Sequence, residues 1–154
     1  MHYLIDGYNL LFFLSDGDNL QQTREELIHW LHDQILAFSS QITIVFDGDY
    51  VYGEGSGFCY FPQLVVVYSP RGQSADDYIL ERISYQSPQT YYTVVSSDQP
   101  LNKAARRMGA TTRSIVWFLN WLKKKKPPVV EKPIAESPSQ LKRLRRIFEE
   151  ETDI

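Results

Sequence analysis

Three aspartates in this sequence stand at or just beyond the end of a short apolar stretch. Asp6 ends YLID, Asp47 follows ITIVF, and Asp98 follows YYTVVSS, while Asp76 and Asp77 come soon after LVVVY. Carboxylate oxygens, without histidine or cysteine, are ligands suited to Mg²⁺ or Mn²⁺. Such ions activate water and stabilise the charge of a phosphodiester under in-line attack. If the fold brings the five aspartates together, the chemistry that they predict is hydrolytic phosphoryl transfer.

The apolar stretches that precede these aspartates predict the strands of one sheet. Continuous runs such as ITIVF and LVVVY are typical of parallel strands with both faces buried. YLID and YYTVV predict two more strands, and a short fifth strand and a closing helix are expected after Gly109. Residues 50–61 mix glycines with aromatics and predict a loop or an irregular hairpin.

Helices are predicted between the strands from the spacing of apolar residues. One spans roughly residues 23–38, where Thr23 and Glu26 have the form of a capping box. Ser74 is the expected N-cap of a second helix, and a third runs from Asp98 through about Met108. Alternation of strands and helices predicts a mostly parallel sheet with right-handed crossovers.

In an open parallel sheet the carboxyl ends of the strands share one edge, where ligands bind. Asp6, Asp47 and Asp98 would meet at that edge, and the helix that opens with Asp76 and Asp77 begins there too. Five neighbouring carboxylates would raise one another's pKa unless a cation compensated their charge.

Each of these residues also has a purely structural interpretation. Asp6 and Asn9 are good turn residues, Asp47-Gly48 is a turn dipeptide, and Asp98 could cap a helix. Ser74-x-x-Asp77 could be a capping box. The convergence of all of them on one edge favours a functional site.

Four short motifs resemble those of a known family. DGYN at 6–9, VFDG at 45–48, SADDYI at 74–79 and SSD at 96–98 are similar, in order and spacing, to the acidic motifs of the NYN domain, specifically its YacP-like bacterial group. The resemblance covers roughly residues 3–118. It implies a three-layer α/β/α PIN-like domain with a mostly parallel central sheet, and a divalent-metal-dependent endoribonuclease.

The resemblance also implies roles for individual residues. Asn9 would assist catalysis, and Ser74 or Ser97 could orient water or a ligand. The loop at 50–61 and the tail after Lys123 have no clear counterpart in the family. The acids that would bind metal or activate water are Asp6, Asp47, Asp76, Asp77 and Asp98.

Basic residues near the predicted site are candidate contacts for an RNA backbone. Lys103, Arg106 and Arg107 share one face of the helix after Asp98, although a solvated helix face is a slightly better explanation of them. Arg71 lies just before a helix N-terminus and could receive a phosphate.

Charge divides the chain into two predicted parts, a nuclease domain over 1–122 and a basic, proline-rich linker with a short C-terminal helix over 123–154. The first has 13 acidic and 7 basic residues, a net charge of −6, and the second has 6 acidic and 9 basic, a net charge of +3. An acidic body argues against a surface that coats DNA. The tail could bind RNA or dock on the domain.

We expect a cytoplasmic protein, because the chain has a single cysteine, no leader-like N-terminus and no apolar run of about 18 residues. RNA is the expected partner, with mRNA as substrate and the ribosome as a further candidate. A non-catalytic RNA- or ribosome-binding module with the same fold, and a metal-dependent phosphatase, stay open as alternatives. Aromatic residues of the 50–61 loop could stack on unpaired bases or cover the core.

Overall fold

The structure is a computed structural model, and it describes residues 1–16, 19–48, 58–61, 63–87 and 91–125, with 58–61 described as backbone only. Of the predicted linker and C-terminal helix over 123–154, only residues 123–125 are described, and they end the last described helix instead of beginning a linker; the remainder lies outside the described residues. Within the described part, no helix is long and apolar enough to span a lipid bilayer.

A six-stranded sheet forms the centre of the described part, with the order β3-β4-β2-β1-β5-β6. Five strands are parallel, and β3 pairs antiparallel with β4 at one edge. The central strand β1 therefore has β2 on one side and β5 on the other. The strands are β1 (His2–Asp6), β2 (Gln41–Phe46), β3 (Phe58–Phe61), β4 (Leu64–Tyr68), β5 (Tyr92–Val95) and β6 (Thr111–Arg113).

Within the described residues, five helices cover the two faces of this sheet. Helices α1, α2 and α5 pack on one face together with Tyr3 and Ile5 of β1. Helices α3 and α4 pack on the other face against Leu4. The helices are α1 (Gly7–Leu14), α2 (Leu20–Ile35), α3 (Ala75–Ser84), α4 (Gln99–Arg107) and α5 (Ile115–Lys125).

This arrangement confirms the predicted α/β/α fold with a mostly parallel sheet. Successive strand residues point to opposite faces, and helices bury both faces. That is why the strands have continuous apolar sequences in place of an alternating pattern.

Three local interpretations at the N-terminal end were wrong: a turn at residues 6–9, the range of the helix predicted over 23–38, and its capping box. The chain forms helix α1 directly after β1, where DGYN suggested a turn. Helix α2 begins at Leu20 and ends at Ile35, earlier than the predicted range of 23–38. Its cap is the side chain of Asn19, which accepts a hydrogen bond from the backbone N–H of Gln22 at 3.1 Å. Thr23 is a buried residue inside the helix, so the predicted capping box is absent.

The aromatic stretch at 50–61 ends in a strand. Residues 58–61 form β3, which supports the hairpin interpretation because β3 and β4 are antiparallel neighbours. The part of the stretch before residue 58 lies outside the described residues.

Candidate active site

Asp6 is placed by an abrupt change from strand to helix. It is the last residue of β1, and α1 starts at the next residue, Gly7. A Cβ atom at Gly7 would lie 2.6 Å from the ring of Phe46 and 2.8 Å from the carbonyl oxygen of Val45. The glycine thus allows α1 to leave the strand in close contact with β2.

Asp47 follows β2, and the next residue, Gly48, lies close to the backbone of Ser69 just after β4. The N–H of Gly48 donates to the buried hydroxyl of Ser69 at 3.0 Å, and that hydroxyl donates to the carbonyl of Gln73 at 2.7 Å. A Cβ atom at Gly48 would lie 1.9 Å from the Ser69 carbonyl oxygen. Close backbone contact between the ends of β2 and β4 is therefore the reason for glycine here.

Asp76 and Asp77 lie in the first turn of α3. The hydroxyl of Ser74 accepts a hydrogen bond from the N–H of Asp77 at 3.1 Å, which confirms Ser74 as the N-cap. Asp76 is half-buried, whereas Asp77 is exposed. The two adjacent carboxylates therefore have different environments.

Asp98 caps helix α4 and is linked to Asp6 through Ser96. Its side chain accepts from the N–H of Leu101 at 3.2 Å, and its own N–H donates to the Ser96 hydroxyl at 3.0 Å. That hydroxyl donates to Asp6 Oδ2 at 3.3 Å. The buried side chain of Asn102 donates to the Ser96 carbonyl at 2.9 Å and holds this strand end in place. Ser96 therefore couples the positions of two carboxylates.

A pocket of about 280 Å³ lies at the carboxyl edge of the sheet. Three of the predicted acids, Asp6, Asp47 and Asp76, line it together with Ser74. Asp98 does not line the pocket but lies beside Asp76. The rest of the lining is largely apolar and comes mainly from Tyr8, Phe12 and Leu20.

The electrostatics of the pocket reflect crowded negative charge. Burial, followed by the charge of Asp76, raises the pKa of Asp6 from 3.8 to about 6, although the Asn9 backbone and the Ser96 hydroxyl partly oppose this shift. Burial also raises the pKa of Asp76, and Asp98, Asp77 and Asp47 raise it further. At Asp6 and Asp76, repulsion from neighbouring carboxylates therefore adds to the effect of burial.

The donor set fits a hard divalent cation. Among the described residues that line the pocket, the polar side chains all offer oxygen atoms. The raised pKa values of Asp6 and Asp76 indicate that a nearby positive charge would be favourable. Among the described residues, no three His, Cys, Asp or Glu side chains are already grouped tightly enough to hold a metal. Mg²⁺ commonly uses one or two carboxylates and keeps several waters, so such a preformed group is not required.

Two of the other predicted site residues have structural contacts. The side-chain oxygen of Asn9 accepts a hydrogen bond from the backbone N–H of Ser97 at 2.7 Å. This contact joins α1 to the loop after β5. The side chains of both residues are at least partly accessible beside Asp98.

The predicted basic residues do not join the acidic pocket. Lys103, Arg106 and Arg107 are exposed on α4, and Arg106 donates to the Thr112 hydroxyl at 2.9 Å. Arg106 follows Asp98 by eight residues, which corresponds to roughly 12 Å along a helix. Arg71 is exposed in the turn before α3, close to the edge of the sheet that carries the pocket.

Sequence reasoning missed Ser96 and the apolar part of the lining. Ser96 belongs to the SSD motif, and its position directly after β5 was the available signal. Tyr8 and Phe12 are four residues apart, which places them on one side of a helix. This signal became visible only once α1 was known to be helical.

A mostly parallel sheet covered by helices on both faces, with acidic residues at its carboxyl edge, is the arrangement of a PIN-like α/β domain. The sequence profile of the YacP-like NYN domain matches residues 3–153, so the chain belongs to the YacP-like NYN domain family, a nuclease-type family. The match includes the basic tail, for which we expected no family counterpart.

Solved structures agree with this fold. The crystal structure of Rae1 (YacP) from Bacillus subtilis is similar with a TM-score of 0.61 and 20% sequence identity, over 80% of this chain and 74% of that chain. A mutant of the same protein gives a TM-score of 0.60 and 19% identity, over 80% and 75% of the two chains. No match is found among curated proteins.

Proposed function

We propose that this protein is an endoribonuclease that depends on Mg²⁺ or Mn²⁺ and hydrolyses phosphodiester bonds in RNA. The observation that carries the proposal is the meeting of Asp6, Asp47 and Asp76 in one pocket at the carboxyl edge of the sheet. Membership of a nuclease-type family supports the same chemistry.

Asp6 and Asp76 are the residues best suited to hold the cation. They lie on different elements, and both have raised pKa values. In each case burial is the largest cause of the shift and the charge of neighbouring acids adds to it. A bound divalent ion would offset this repulsion, stabilise negative charge that develops on the phosphodiester and make a water molecule more acidic. Ser96 would keep the Asp6 carboxylate in a fixed orientation for this task.

Asp47 and Asp98 would support the cation-binding carboxylates of Asp6 and Asp76. Asp47 lines the pocket and could orient the attacking water or accept its proton. Asp98 is held by Ser96 and by its capping bond to Leu101, so its charge acts on Asp76 from a fixed position. Asp77 is exposed and contributes its charge from the outer side of α3.

RNA, with mRNA as the substrate and the ribosome as a possible site of action, is the proposed partner in the cytoplasm. Lys123 to Lys125 end helix α5 and begin the basic tail. We propose that the tail supplies a second, electrostatic contact with RNA.

The test is incubation of the purified protein with single-stranded and structured RNA in Mg²⁺, Mn²⁺ or EDTA. Asp6→Asn and Asp76→Asn should lower cleavage roughly 100-fold or more, with the fold retained. Asp33→Asn is the matched control, because Asp33 is an exposed acid on α2 that pairs with His32 and does not line the pocket.

Cleavage that survives EDTA, or that is equal in all three variants, contradicts the proposal. Metal-independent RNA binding without cleavage supports a non-catalytic RNA-binding module. Hydrolysis of small phosphate esters without cleavage of RNA supports a phosphatase.

A further inference from the structure

An aromatic surface continues from the acidic part of the pocket. Tyr8 and Phe12 of α1 both line the pocket, with their ring centroids 5.9 Å apart and their planes at 25°. Phe12 leaves 55% of its surface exposed. A large apolar side chain is therefore open to solvent inside the same pocket that holds the carboxylates.

Tyr8 is fixed on the protein side of this stack. Its ring meets the edge of Phe46 at 5.1 Å, and its hydroxyl accepts a hydrogen bond from Arg24 Nη1 at 3.0 Å. Arg24 is only 5% exposed and lies over the ring of Tyr68 at 5.4 Å. Because α1, α2 and the sheet all hold Tyr8, it forms a rigid support for Phe12.

Comparison with Phe13 shows that, of the two exposed phenylalanines of α1, Phe12 is the one that lines the pocket. Phe13 is 37% exposed but does not line the pocket. Leu10, Leu11 and Leu14 are fully buried on the inner side of α1. The helix thus presents one of its two exposed phenylalanines to the acidic pocket.

A ligand that fills this pocket has to satisfy two different surfaces. One part must tolerate carboxylates and their cation, as a phosphate does, and the other must cover a flat apolar ring. A nucleotide with an unpaired base has both parts, since its base can stack on an aromatic side chain while its phosphate remains beside the acids.

We infer that Phe12, supported by Tyr8, is the stacking platform for one unpaired base next to the phosphate that is cleaved. This inference rests on the proposed ribonuclease function and adds the substrate class. The enzyme should act on single-stranded RNA, because a base within a duplex is already stacked and paired. Arg24 is a positioning residue that acts through Tyr8.

The experiment measures KM and kcat for a single-stranded oligoribonucleotide in Mg²⁺ with the full-length wild type and with Phe12→Ala, Phe12→Trp and Phe13→Ala. The oligoribonucleotide carries 2-aminopurine beside the cleavage site, so stopped-flow fluorescence reports stacking before cleavage. Phe12→Ala should raise KM roughly 5- to 100-fold and remove most of the fluorescence quenching. Phe12→Trp should restore both, and Phe13→Ala should behave as the wild type.

Melting temperature is measured for every variant, and Phe12→Ala should leave it nearly unchanged because the side chain is largely exposed. Equal KM and equal quenching for Phe12→Ala and Phe13→Ala, with wild-type cleavage intact, overturn the stacking platform alone. A duplex RNA cleaved as well as the single strand also overturns it. Absence of metal-dependent cleavage by the wild type overturns the ribonuclease function and this inference together.

Discussion

Replacing Asp6 by Asn should make the protein more stable at neutral pH in the absence of divalent cations. The pKa of Asp6 is about 6 in the folded state and 3.8 in its ordinary environment. When the pKa of a carboxyl group is higher in the folded state than in the unfolded state, the folded state binds its proton more tightly. The free energy of unfolding therefore falls as pH rises from the unfolded-state pKa to the folded-state pKa. The cost is complete above about pH 6.

The size of the effect follows from this difference of about two pKa units. At about 1.4 kcal/mol per unit, the charged carboxylate lowers the free energy of unfolding by about 3 kcal/mol at most. Asn loses part of the interaction with the Ser96 hydroxyl, which is worth about 1 kcal/mol. The expected net gain is about 1–2 kcal/mol, seen as a higher midpoint in urea at pH 7.5 with EDTA.

His2 gives an opposite pH dependence that the same experiment can separate. Its pKa is lowered from 6.5 to about 4 by burial, by Arg82 and by the N-terminal charge. Below pH 6.5 the His2 ring binds a proton in the unfolded chain but stays neutral in the folded protein. The free energy of unfolding therefore falls as pH falls toward 4. In the wild type, the Asp6 and His2 effects oppose each other between about pH 4 and pH 6.

The pH series therefore has a distinct expectation for each variant. Asp6→Asn should lose stability from pH 6.5 to pH 4, whereas His2→Gln should gain stability from pH 6 to pH 4. Mg²⁺ should stabilise the wild type more than Asp6→Asn. An Asp6→Asn protein that is no more stable than the wild type at pH 7.5, and whose pH slope is unchanged, would refute the reasoning that burial of the Asp6 carboxylate, together with the charge of Asp76, destabilises this site.

Three further predictions concern the supports of the site and the tail. Gly48→Ala should lower the urea midpoint by more than Gly72→Ala. A Cβ at Gly48 would lie 1.9 Å from the Ser69 carbonyl oxygen, whereas at Gly72 there is open space and only a left-handed φ of 82°. An equal loss in the two variants would contradict the close-contact explanation. Ser96→Ala should shift the acidic limb of the pH–rate profile to higher pH, because the Asp6 carboxylate loses a donor that lowers its pKa; an unmoved limb would show that Asp6 does not control it. Replacing the four basic residues in 142–146 by Ser should weaken RNA binding and flatten its dependence on salt with no change in melting temperature, and a salt slope equal to that of the wild type would exclude the electrostatic contact.

Much of the site could be predicted because βαβ connectivity leaves few alternatives. Once the apolar stretches are assigned to parallel strands, right-handed crossovers bring their carboxyl ends to one edge. Asp6, Asp47 and Asp76 meet there for that reason, although they are far apart in the sequence. Ser74 was also predictable, since its capping bond is local.

Helix α1 could not be predicted from its own residues. It has eight residues, its N-cap side chain makes no capping bond, and its first turn has no acid. An isolated helix of this length is only marginally stable in water. Packing of Leu10, Leu11 and Leu14 against the sheet stabilises it, and that packing depends on the close approach that Gly7 permits.

The sequence by itself therefore determined the order of elements and the edge at which the acids collect, because both follow from local apolar patterns and chain connectivity. Tertiary structure alone decided the burial of Asp6, which raises its pKa, and the turn of Phe12 into the pocket beside Tyr8. Both properties depend on which side chains of distant elements pack together. A carboxylate's environment and the direction of an exposed ring are set by those neighbours, and a local pattern carries no information about them.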